Sequence, residues 1–260
     1  MSHIQLIDHF VLPIGQVIDF EDPQPSSFRI IEKIKEDNYQ AEPQEIHDGI
    51  AESSYCAAKY LCVEPSSQKR AFMRVYMQVP WKGTEMYPGS ERQKQVTTES
   101  KEFISMEIVA MKAFWKQNSA ITPPLLGYKE RVQDPGMPVP DGFATYFVWG
   151  VVPGICLGDS NGPTTFQTLP DAEQELIHET FLQDHKKLRA MGFFPAFGKA
   201  KNLVWDRARG KLYFVGFRDC NPATEGHHPV DERNWVSWGM TREPRKSSAW
   251  EKGAFAHITP

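Results

Sequence analysis

The sequence contains few cysteines, and their spacing fits neither a disulfide framework nor a zinc site. Cys56, Cys62, Cys156 and Cys220 form no C-x-x-C pair, and the chain has no N-x-[ST] glycosylation acceptor. These absences argue against a secreted domain that depends on disulfides. The segment MSHIQLIDHFVLPIG lacks the basic start and apolar core of a secretory signal. We therefore expect a cytoplasmic protein with free, mostly buried thiols.

The chain also lacks an excess of basic residues and any long apolar run. Its 29 Lys and Arg residues stand against 33 Asp and Glu residues, which gives a net charge of −4. A nucleic-acid binder usually shows a basic stripe. No stretch approaches the ~18 uncharged apolar residues of a membrane helix. We therefore predict neither a nucleic-acid partner nor a membrane partner.

The signatures of several common enzyme classes are missing as well. There is no P-loop, no G-x-G-x-x-G and no G-x-S-x-G nucleophile elbow. His178 and His185 are seven residues apart, whereas the H-E-x-x-H zinc motif needs two histidines four apart. We interpret both as surface or core histidines, and His227 and His228 as exposed loop residues. The sequence predicts no metal site and no cofactor.

Proline and aromatic residues, by contrast, are abundant. The 260 residues include 20 Pro, 16 Phe, 8 Tyr and 7 Trp. Because each proline fixes its backbone dihedral and removes an amide donor, this number disfavours a simple helical bundle. A chain of this length forms one large domain or two small lobes.

Hydrophobic periodicity predicts an α+β fold of two lobes. Residues 1–27 are expected to be a loosely packed N-terminal extension, residues 28–148 a β-rich lobe with one long helix, and residues 149–260 a mainly helical lobe. The individual predictions are strands at 55–63, 71–79, 125–130 and 143–152, helices at 100–117 and 170–191, a hairpin of 202–205 with 211–217, and a mobile surface loop at 80–97. The break near Trp149–Gly154 is interpreted as a hinge, and two lobes usually enclose a ligand-binding cleft.

This order resembles the protein kinase-like superfamily, in particular the aminoglycoside and choline kinase-like branch and its fungal relatives. AFMRV (71–75) corresponds to the strand that bears the phosphate-binding lysine, and Glu107 to the helix glutamate that pairs with it. YFVWGVVPG (146–154) resembles the strand and hinge between lobes. NLVWDRARGKLYFVGFRD (202–219) resembles the catalytic-loop asparagine, the following hairpin and the metal-binding motif. The resemblance implies a two-lobed kinase-like fold whose C-terminal lobe is truncated.

The departures from the family pattern bear directly on activity. The position of the phosphate-binding lysine is Arg74, the position of the catalytic-loop base is Phe197, and the position of the metal-binding aspartate is Gly216. The segment GIAESSYCA (49–57) has one glycine where a phosphate-binding loop would have several. Only Glu107 and Asn202 keep the family identity.

Each remaining polar residue has a structural and a functional interpretation. Arg74 could contact an anion, but a buried ion pair with Glu107 is favoured, because a buried carboxylate without a cation is costly. Asn202 could bind a metal, but a loop asparagine more often hydrogen-bonds to the backbone. Asp219, three residues after Gly216, could supply a displaced carboxylate, and Asp206 is expected to be solvated in a turn. The cluster Phe193, Phe194, Phe197, Phe214 and Phe217 either fills an abandoned nucleotide site or lines an apolar pocket.

Three functions follow as hypotheses. The first is a catalytically degenerate pseudokinase that binds a hydrophobic small molecule or a protein partner. The second is an enzyme of another class, in which the apolar cleft shapes a cyclisation or rearrangement, as in fungal secondary metabolism. The third is an atypical phosphotransferase. Whether the protein is an enzyme is left open, and the candidate ligand-binding residues of the interlobe cleft are Arg74, Glu107, Trp149, Phe197, Asn202, Phe217 and Asp219.

Overall fold

A computed structural model describes residues 12–51, 53–97, 104–223 and 230–240. Contacts between Cα atoms divide the chain into two compact units. The first unit comprises Met1–Ser119 and Pro123–Val151, and the second comprises Ala120–Thr122 and Val152–Pro260. The α+β class predicted from the sequence is confirmed, with a sheet-rich first unit. No helix in the described part of the chain is both long enough and apolar enough to cross a membrane.

The first unit is built around one antiparallel sheet with the strand order β1-β2-β3-β4-β6-β5. The strands are β1 (Val17–Phe20), β2 (Ser26–Tyr39), β3 (Tyr55–Val63), β4 (Arg70–Gln78), β5 (Leu125–Val132) and β6 (Phe143–Gly150). Among the described residues, the helices of this unit are α1 (Pro43–His47), α2 (Gly89–Gln93) and α3 (Met106–Lys116). The Ser105 hydroxyl accepts a hydrogen bond from the Glu107 amide and so caps α3.

Alternate residues of these strands separate the core from the opposite face of the sheet. Buried side chains that include Met73, Val75, Tyr146 and Val148 form a hydrophobic cluster on one face. Because side chains alternate along a strand, Arg74 and Phe147, which face each other across β4 and β6, lie on the opposite face. The first unit therefore buries one apolar face and presents a second face with both charge and aromatic rings.

The segment before Phe28 is part of the sheet rather than a loose extension. Strand β1 pairs with β2, and its alternating Ile18 and Phe20 are buried in the core cluster. The Phe20 ring lies so close to Gly127 that a Cβ there would be 2.7 Å from Phe20 Cγ. The Tyr128 amide donates to the Asp22 carbonyl at 2.8 Å. The prediction of loose packing is therefore wrong for the described residues 12–27, because Ile18 and Phe20 contribute to the core.

Two other predictions about the first unit need correction. The predicted mobile loop at 80–97 contains α2 and a buried glutamine, Gln95, whose side chain donates to Thr84 Oγ1 and accepts from the Trp81 amide. This hydrogen bonding orders the segment. The helix predicted from 100 begins at Met106, and Ile104 is 56% exposed. Positions 100–103 of the predicted helix, including Phe103, lie outside the described residues.

The second unit contains one long helix and short strands. Its helices are α4 (Asp171–Ala190) and α5 (Glu232–Ser237), with single turns at Phe166–Thr168 and Ala200–Asn202. Its strands are β7 (Ile155–Cys156), β8 (Phe193–Pro195), β9 (Leu203–Asp206), β10 (Lys211–Phe214) and β11 (Cys220–Pro222), which pair as β10-β9-β7 and β11-β8. The predicted helix and the β9–β10 hairpin are confirmed, with the second strand ending at Phe214 rather than 217.

The four cysteines are free thiols, as the sequence predicts. Cys56, Cys62 and Cys220 are buried, and Cys156 is exposed. Burial raises the pKa of Cys62 to about 12, so this thiol stays protonated and unreactive at neutral pH. The predicted exposed pair His227 and His228 lies outside the described residues.

Candidate functional site

In the first unit, Arg74 and Glu107 form the buried ion pair that the sequence favours. Arg74 Nη1 lies 2.6 Å from Glu107 Oε2, and the two side chains are only 11% and 5% exposed. The Tyr76 hydroxyl donates to the same carboxylate oxygen at 2.7 Å. The carboxylate therefore accepts from a cation and from a phenol at once. This geometry provides the charge compensation that a buried glutamate needs.

A lysine and a set of aromatic rings lie beside this ion pair. Lys59 is the cross-strand neighbour of Arg74 on β3, and its Nζ lies 4.0 Å from the centre of the Phe72 ring. The Arg74 guanidinium lies 5.7 Å from the centre of the Trp149 ring, which stacks on Phe147 at 5.0 Å. Trp149 is thus placed with Arg74 and Glu107. Lys59 was not among the candidates from the sequence. It alternates with the buried residues of β3, and this pattern was a signal that it lies on the same face as Arg74.

The environment of Lys59 makes its charged form unfavourable. Burial is the main reason, and the positive charge of Arg74 adds to it, so the pKa of Lys59 falls to about 8, whereas Glu107 acts in the opposite direction. Two cations therefore share one carboxylate on this face of the sheet. Contact with the Phe72 ring partly compensates Lys59, because a cation is attracted to the face of an aromatic ring.

In the second unit, Asn202 serves the backbone rather than an open ligand site. Its Nδ2 donates to the carbonyls of Val215 at 3.1 Å and Gly216 at 3.4 Å. The Val215 amide donates back to the Asn202 carbonyl at 2.8 Å. Asn202 therefore ties the turn before β9 to the segment that follows β10, which is the structural interpretation made from the sequence.

Gly216, at the position of the metal-binding aspartate, is tightly constrained. Its φ is +81°, in the left-handed region that disfavours side chains. A Cβ there would lie 1.8 Å from Asn202 Nδ2. An aspartate could not be accommodated without moving Asn202. The glycine is consequently part of the local packing around Asn202.

The other three candidates of this unit have different environments. Phe217 is 2% exposed and belongs to the core, whereas Phe197 is 74% exposed. Asp219 is exposed, and its main-chain carbonyl accepts from the Ala196 amide at 2.7 Å. Phe214 is fully buried, so the phenylalanine cluster is divided between core and surface. The seven candidates therefore fall into a group of three in the first unit and four dispersed positions in the second.

Asp206 is not solvated, contrary to the sequence-based expectation. It is 4% exposed, and its Oδ2 lies 2.6 Å from Arg209 Nη1. The hydrogen bond from Arg209 holds the pKa of Asp206 below its usual value. The expectation failed because Asp206 ends strand β9 instead of lying in the turn.

A cavity of about 610 Å³ lies within the second unit. Its apolar wall includes Phe194, Pro195, Phe197 and Trp238, and its polar wall includes Asp159, Ser160, Asn161, Thr164, Lys199 and Asn234. This volume falls in the usual range for small-molecule sites. Gly198 makes room for Trp238, because a Cβ at Gly198 would lie 2.0 Å from Trp238 Cε2. Phe197, the residue at the position of the catalytic base, is itself part of the cavity wall.

His185, on α4, is also part of the cavity wall. It is 2% exposed, and its ring contacts Phe181 at 5.2 Å and Phe214 at 5.8 Å, with Trp238 edge-on. Neither ring nitrogen has a hydrogen-bond partner within the ranges that the structure describes. Burial, helped by Arg189, lowers the pKa of His185 to about 4, so the imidazole is neutral at pH 7. The sequence analysis named His185 but had no signal for this environment, which depends on distant aromatic residues.

These residues do not provide the magnesium site that the family resemblance implies. Magnesium is bound through oxygen ligands, chiefly carboxylates and phosphates. Gly216 has no side-chain oxygen, and the Asn202 amide is held against two main-chain carbonyls. No group of three or more His, Cys, Asp or Glu side chains that could hold a metal occurs among the described residues.

Comparisons with known proteins give a likeness in structure but none in sequence. No protein-family model and no curated protein matches the chain. Among solved structures, the PK-1 kinase of Cydia pomonella granulovirus is similar, with a TM-score of 0.43 and 14% identity. The match covers 75% of this chain and 52% of the viral kinase, so the chain spans about half the length of that protein. This likeness concerns the fold at most and assigns no activity to the chain.

Proposed function

We propose that this chain is a pseudokinase, a two-lobed kinase-like protein with a truncated C-terminal lobe that binds a ligand and does not transfer phosphate. The proposal joins the family resemblance of residues 46–238 to the geometry of the individual site residues. Its function is binding, and the cavity of the second unit favours a small molecule as the ligand.

The observation that carries the proposal is the contact between Gly216 and Asn202. Kinases hold their magnesium ions with an aspartate and the catalytic-loop asparagine. Here the aspartate position is a glycine with a positive φ, and the space for a side chain is taken by Asn202 Nδ2 at 1.8 Å. The side-chain nitrogen of Asn202 donates its hydrogen bonds to the main-chain carbonyls of Val215 and Gly216. The position of the metal-binding aspartate therefore has neither a side-chain oxygen nor the space for one.

The size of the expected loss in catalytic rate supports the same conclusion. Phosphoryl transfer depends on positioning and on charge neutralisation by metal and cation. Phe197 cannot accept a proton, and a missing acid–base group alone costs roughly 10²–10⁴-fold in rate. The Arg74–Glu107 pair keeps the charges of the family's lysine–glutamate pair, but in a short, buried contact with each other.

Incubation with γ-labelled ATP and either Mg²⁺ or Mn²⁺ tests this proposal. We expect no transfer to water, to small alcohols or to the protein itself. A thermal-shift titration should also show no stabilisation, whereas a ligand at 100 times its Kd would add about 2.7 kcal/mol. Transfer at ordinary turnover that disappears in Asn202→Ala but survives in Asn221→Ala, an exposed asparagine on β11, would refute the proposal and favour an atypical phosphotransferase.

A second candidate function is a repurposed enzyme of non-phosphoryl chemistry. The observation in its favour is the cavity of the second unit, whose aromatic residues Phe194, Phe197 and Trp238 could hold a hydrophobic substrate for a cyclisation or rearrangement. Turnover of a hydrophobic substrate without ATP, reduced in Phe197→Ala, would establish this alternative over the binding role.

A further inference from the structure

We propose that Lys59, on strand β3 of the first unit, is a covalent attachment site for an aromatic aldehyde. The Lys59 amine condenses with the aldehyde carbon to form an imine, and the ring of the aldehyde lies against Phe72 and Trp149. This site belongs to the first unit and shares no residue with the cavity of the second, so it lies beyond the binding role proposed above.

The amine of Lys59 lies against aromatic rings. Its Nζ is 4.0 Å from the centre of the Phe72 ring and 5.7 Å from the centre of the Trp149 ring. Within the ranges that the structure describes, it forms no hydrogen bond and no ion pair. Lys59 is half-buried and its Nζ is not a fully enclosed atom, so a small molecule can reach the amine.

The charged groups around Lys59 favour a neutral nitrogen. Arg74, its neighbour on β4, lies 2.6 Å from Glu107, so that carboxylate already has a cation partner. Lys35, its neighbour on β2, lies 2.7 Å from Asp37 and is paired in the same way. Burial and the charge of Arg74 lower the pKa of Lys59 to about 8, whereas Glu107 acts in the opposite direction. Conversion of the amine to a neutral imine removes the cost of a charge at this position.

The same surroundings make the amine a nucleophile, because only an unprotonated amine attacks a carbonyl carbon. At pH 7.5 an amine with the usual lysine pKa of about 10.4 is unprotonated in roughly one molecule in a thousand. With a pKa of about 8, the Lys59 amine is unprotonated in roughly one molecule in four. Burial beside a second cation is a general way to activate a lysine for imine formation, and Lys59 has both features.

The condensation of Lys59 with an aldehyde is balanced without a further reactant. The lone pair of Nζ forms a bond to the carbonyl carbon, while the carbonyl oxygen gains the first amine proton and becomes a hydroxyl group. That hydroxyl group then leaves as water with the second amine proton, and a C=N bond remains. Nothing is oxidised or reduced in this step.

The rings of Phe72 and Trp149 determine the class of aldehyde. Their centres are 5.9 Å apart at an interplanar angle of 42°, and Trp149 also stacks on Phe147 at 5.0 Å. An aromatic ring bonded to the imine carbon lies close to Nζ and therefore within contact of both rings. Aromatic pairs favour centre-to-centre distances of about 4.5–7 Å. An alkyl aldehyde forms the same bond without these ring contacts.

Reductive labelling of the native full chain at pH 7.5 tests the assignment. The protein is incubated with limiting benzaldehyde and with cyanoborohydride, which adds hydride to the imine carbon and makes the attachment permanent. Peptide mass spectrometry then gives the label on each lysine. We expect Lys59 to be labelled at least about 10-fold faster than Lys35 and Lys94, whose side chains are 65% and 70% exposed, because its larger share of free amine outweighs its lower basicity.

The same experiment with propanal isolates the contribution of the rings. The ratio of label on Lys59 to label on Lys35 cancels the intrinsic reactivity of each reagent. This ratio should be about 2- to 12-fold higher with benzaldehyde than with propanal, which corresponds to the about 0.5–1.5 kcal/mol of one aromatic pair. Phe72→Leu should reduce this preference, whereas Trp115→Leu, which changes a ring that is 45% exposed on α3, should leave it intact.

The native protein alone decides the assignment if Phe72→Leu does not fold. Labelling of Lys59 no faster than that of Lys35, equal ratios with the two aldehydes, or an unchanged preference in a folded Phe72→Leu variant would each overturn it. None of these results depends on phosphate transfer, so the pseudokinase proposal is tested separately by the incubation with ATP.

Discussion

The buried Arg74–Glu107 pair allows a sharp test of the first unit. Glu107→Gln keeps the shape of the side chain and an acceptor for the Tyr76 hydroxyl, but it removes the charge that lies 2.6 Å from Arg74. Breaking a buried ion pair by removing one partner costs about 3–5 kcal/mol, because the other charge stays desolvated. We expect a loss of that size in the free energy of unfolding of the first unit.

A double-mutant cycle measures the interaction energy between Arg74 and Glu107 apart from their other contacts. Arg74→Met should destabilise for the same reason, since Glu107 then loses the cation that lies 2.6 Å from it. The double variant Arg74→Met/Glu107→Gln removes both charges of the pair and should lose at least 2 kcal/mol less than the sum of the single variants, roughly the coupling seen for residues in direct contact. Glu91→Gln, which breaks the exposed Lys94–Glu91 pair on α2, should cost at most about 1 kcal/mol.

The measurement is urea unfolding followed by hydrogen exchange of peptides from β4, because a chain with two units need not unfold in one transition. Exchange of β4 reports the unfolding of the first unit alone. If Glu107→Gln costs no more than Glu91→Gln, or if the two substitutions are additive, the pair does not stabilise the unit and the reasoning is wrong.

Three further predictions concern titration and packing. Burial, with Arg74, lowers the pKa of Lys59 from 10.5 to about 8. Because the unfolded chain binds more protons than the folded chain between pH 8 and 10.5, the free energy of unfolding in urea should rise by up to about 3 kcal/mol across that interval. Lys59→Met should abolish this rise. Burial also lowers the pKa of His185 from 6.5 to about 4. Because the unfolded chain binds more protons between pH 6.5 and 4, the free energy of unfolding of the second unit should fall by up to about 3 kcal/mol as the pH drops through that interval. His185→Phe should remove this dependence. Gly216→Ala should cost the second unit about 2–5 kcal/mol in urea unfolding, because of the positive φ and the displaced Asn202.

Matched controls accompany these three predictions. Lys35→Met changes a lysine that is 65% exposed and should leave the alkaline rise intact. His178→Gln should leave most of the acid dependence intact. Gly210→Ala also replaces a glycine of positive φ, but no atom lies within 4 Å of its added Cβ, so it should cost only about 1–2 kcal/mol. If Gly210→Ala and Gly216→Ala cost the same, the contact with Asn202 contributes nothing.

Periodicity was sufficient to predict most of the elements. The apolar stripe of α4 and the hairpin after Asn202 are local patterns, and local patterns determine the type of element. Strand β1 had the same kind of signal, because Ile18 and Phe20 alternate with Asp19, but the prolines that follow suggested a loose segment. Its inclusion in the sheet depends on Gly127, more than a hundred residues later, which the sequence does not reveal.

The candidate site was predictable where it depended on residue identity alone. Arg74, Phe197 and Gly216 departed from the kinase pattern in the sequence itself, and the Arg74–Glu107 contact followed from the cost of a buried carboxylate. The close approach of Asn202 to Gly216 did not follow, because it depends on a φ angle and a side-chain rotamer. The lack of a hydrogen-bond partner for His185 among the described residues could not be predicted either, because it depends on aromatic rings that are distant in sequence.

The link between Asp22 and Tyr128 has a consequence for the solubility of the first unit. Strand β1 lies at one edge of the sheet and β5 at the other, and the residues just after β1 hydrogen-bond to β5. Unpaired edges recruit strands from other molecules, which is a common route to aggregation. The segment after β1 thus pairs with the Tyr128 amide of β5, which could otherwise bond to a strand of another molecule. A chain that began at Phe28 would keep its long strands but expose both edges, and we expect it to associate through them.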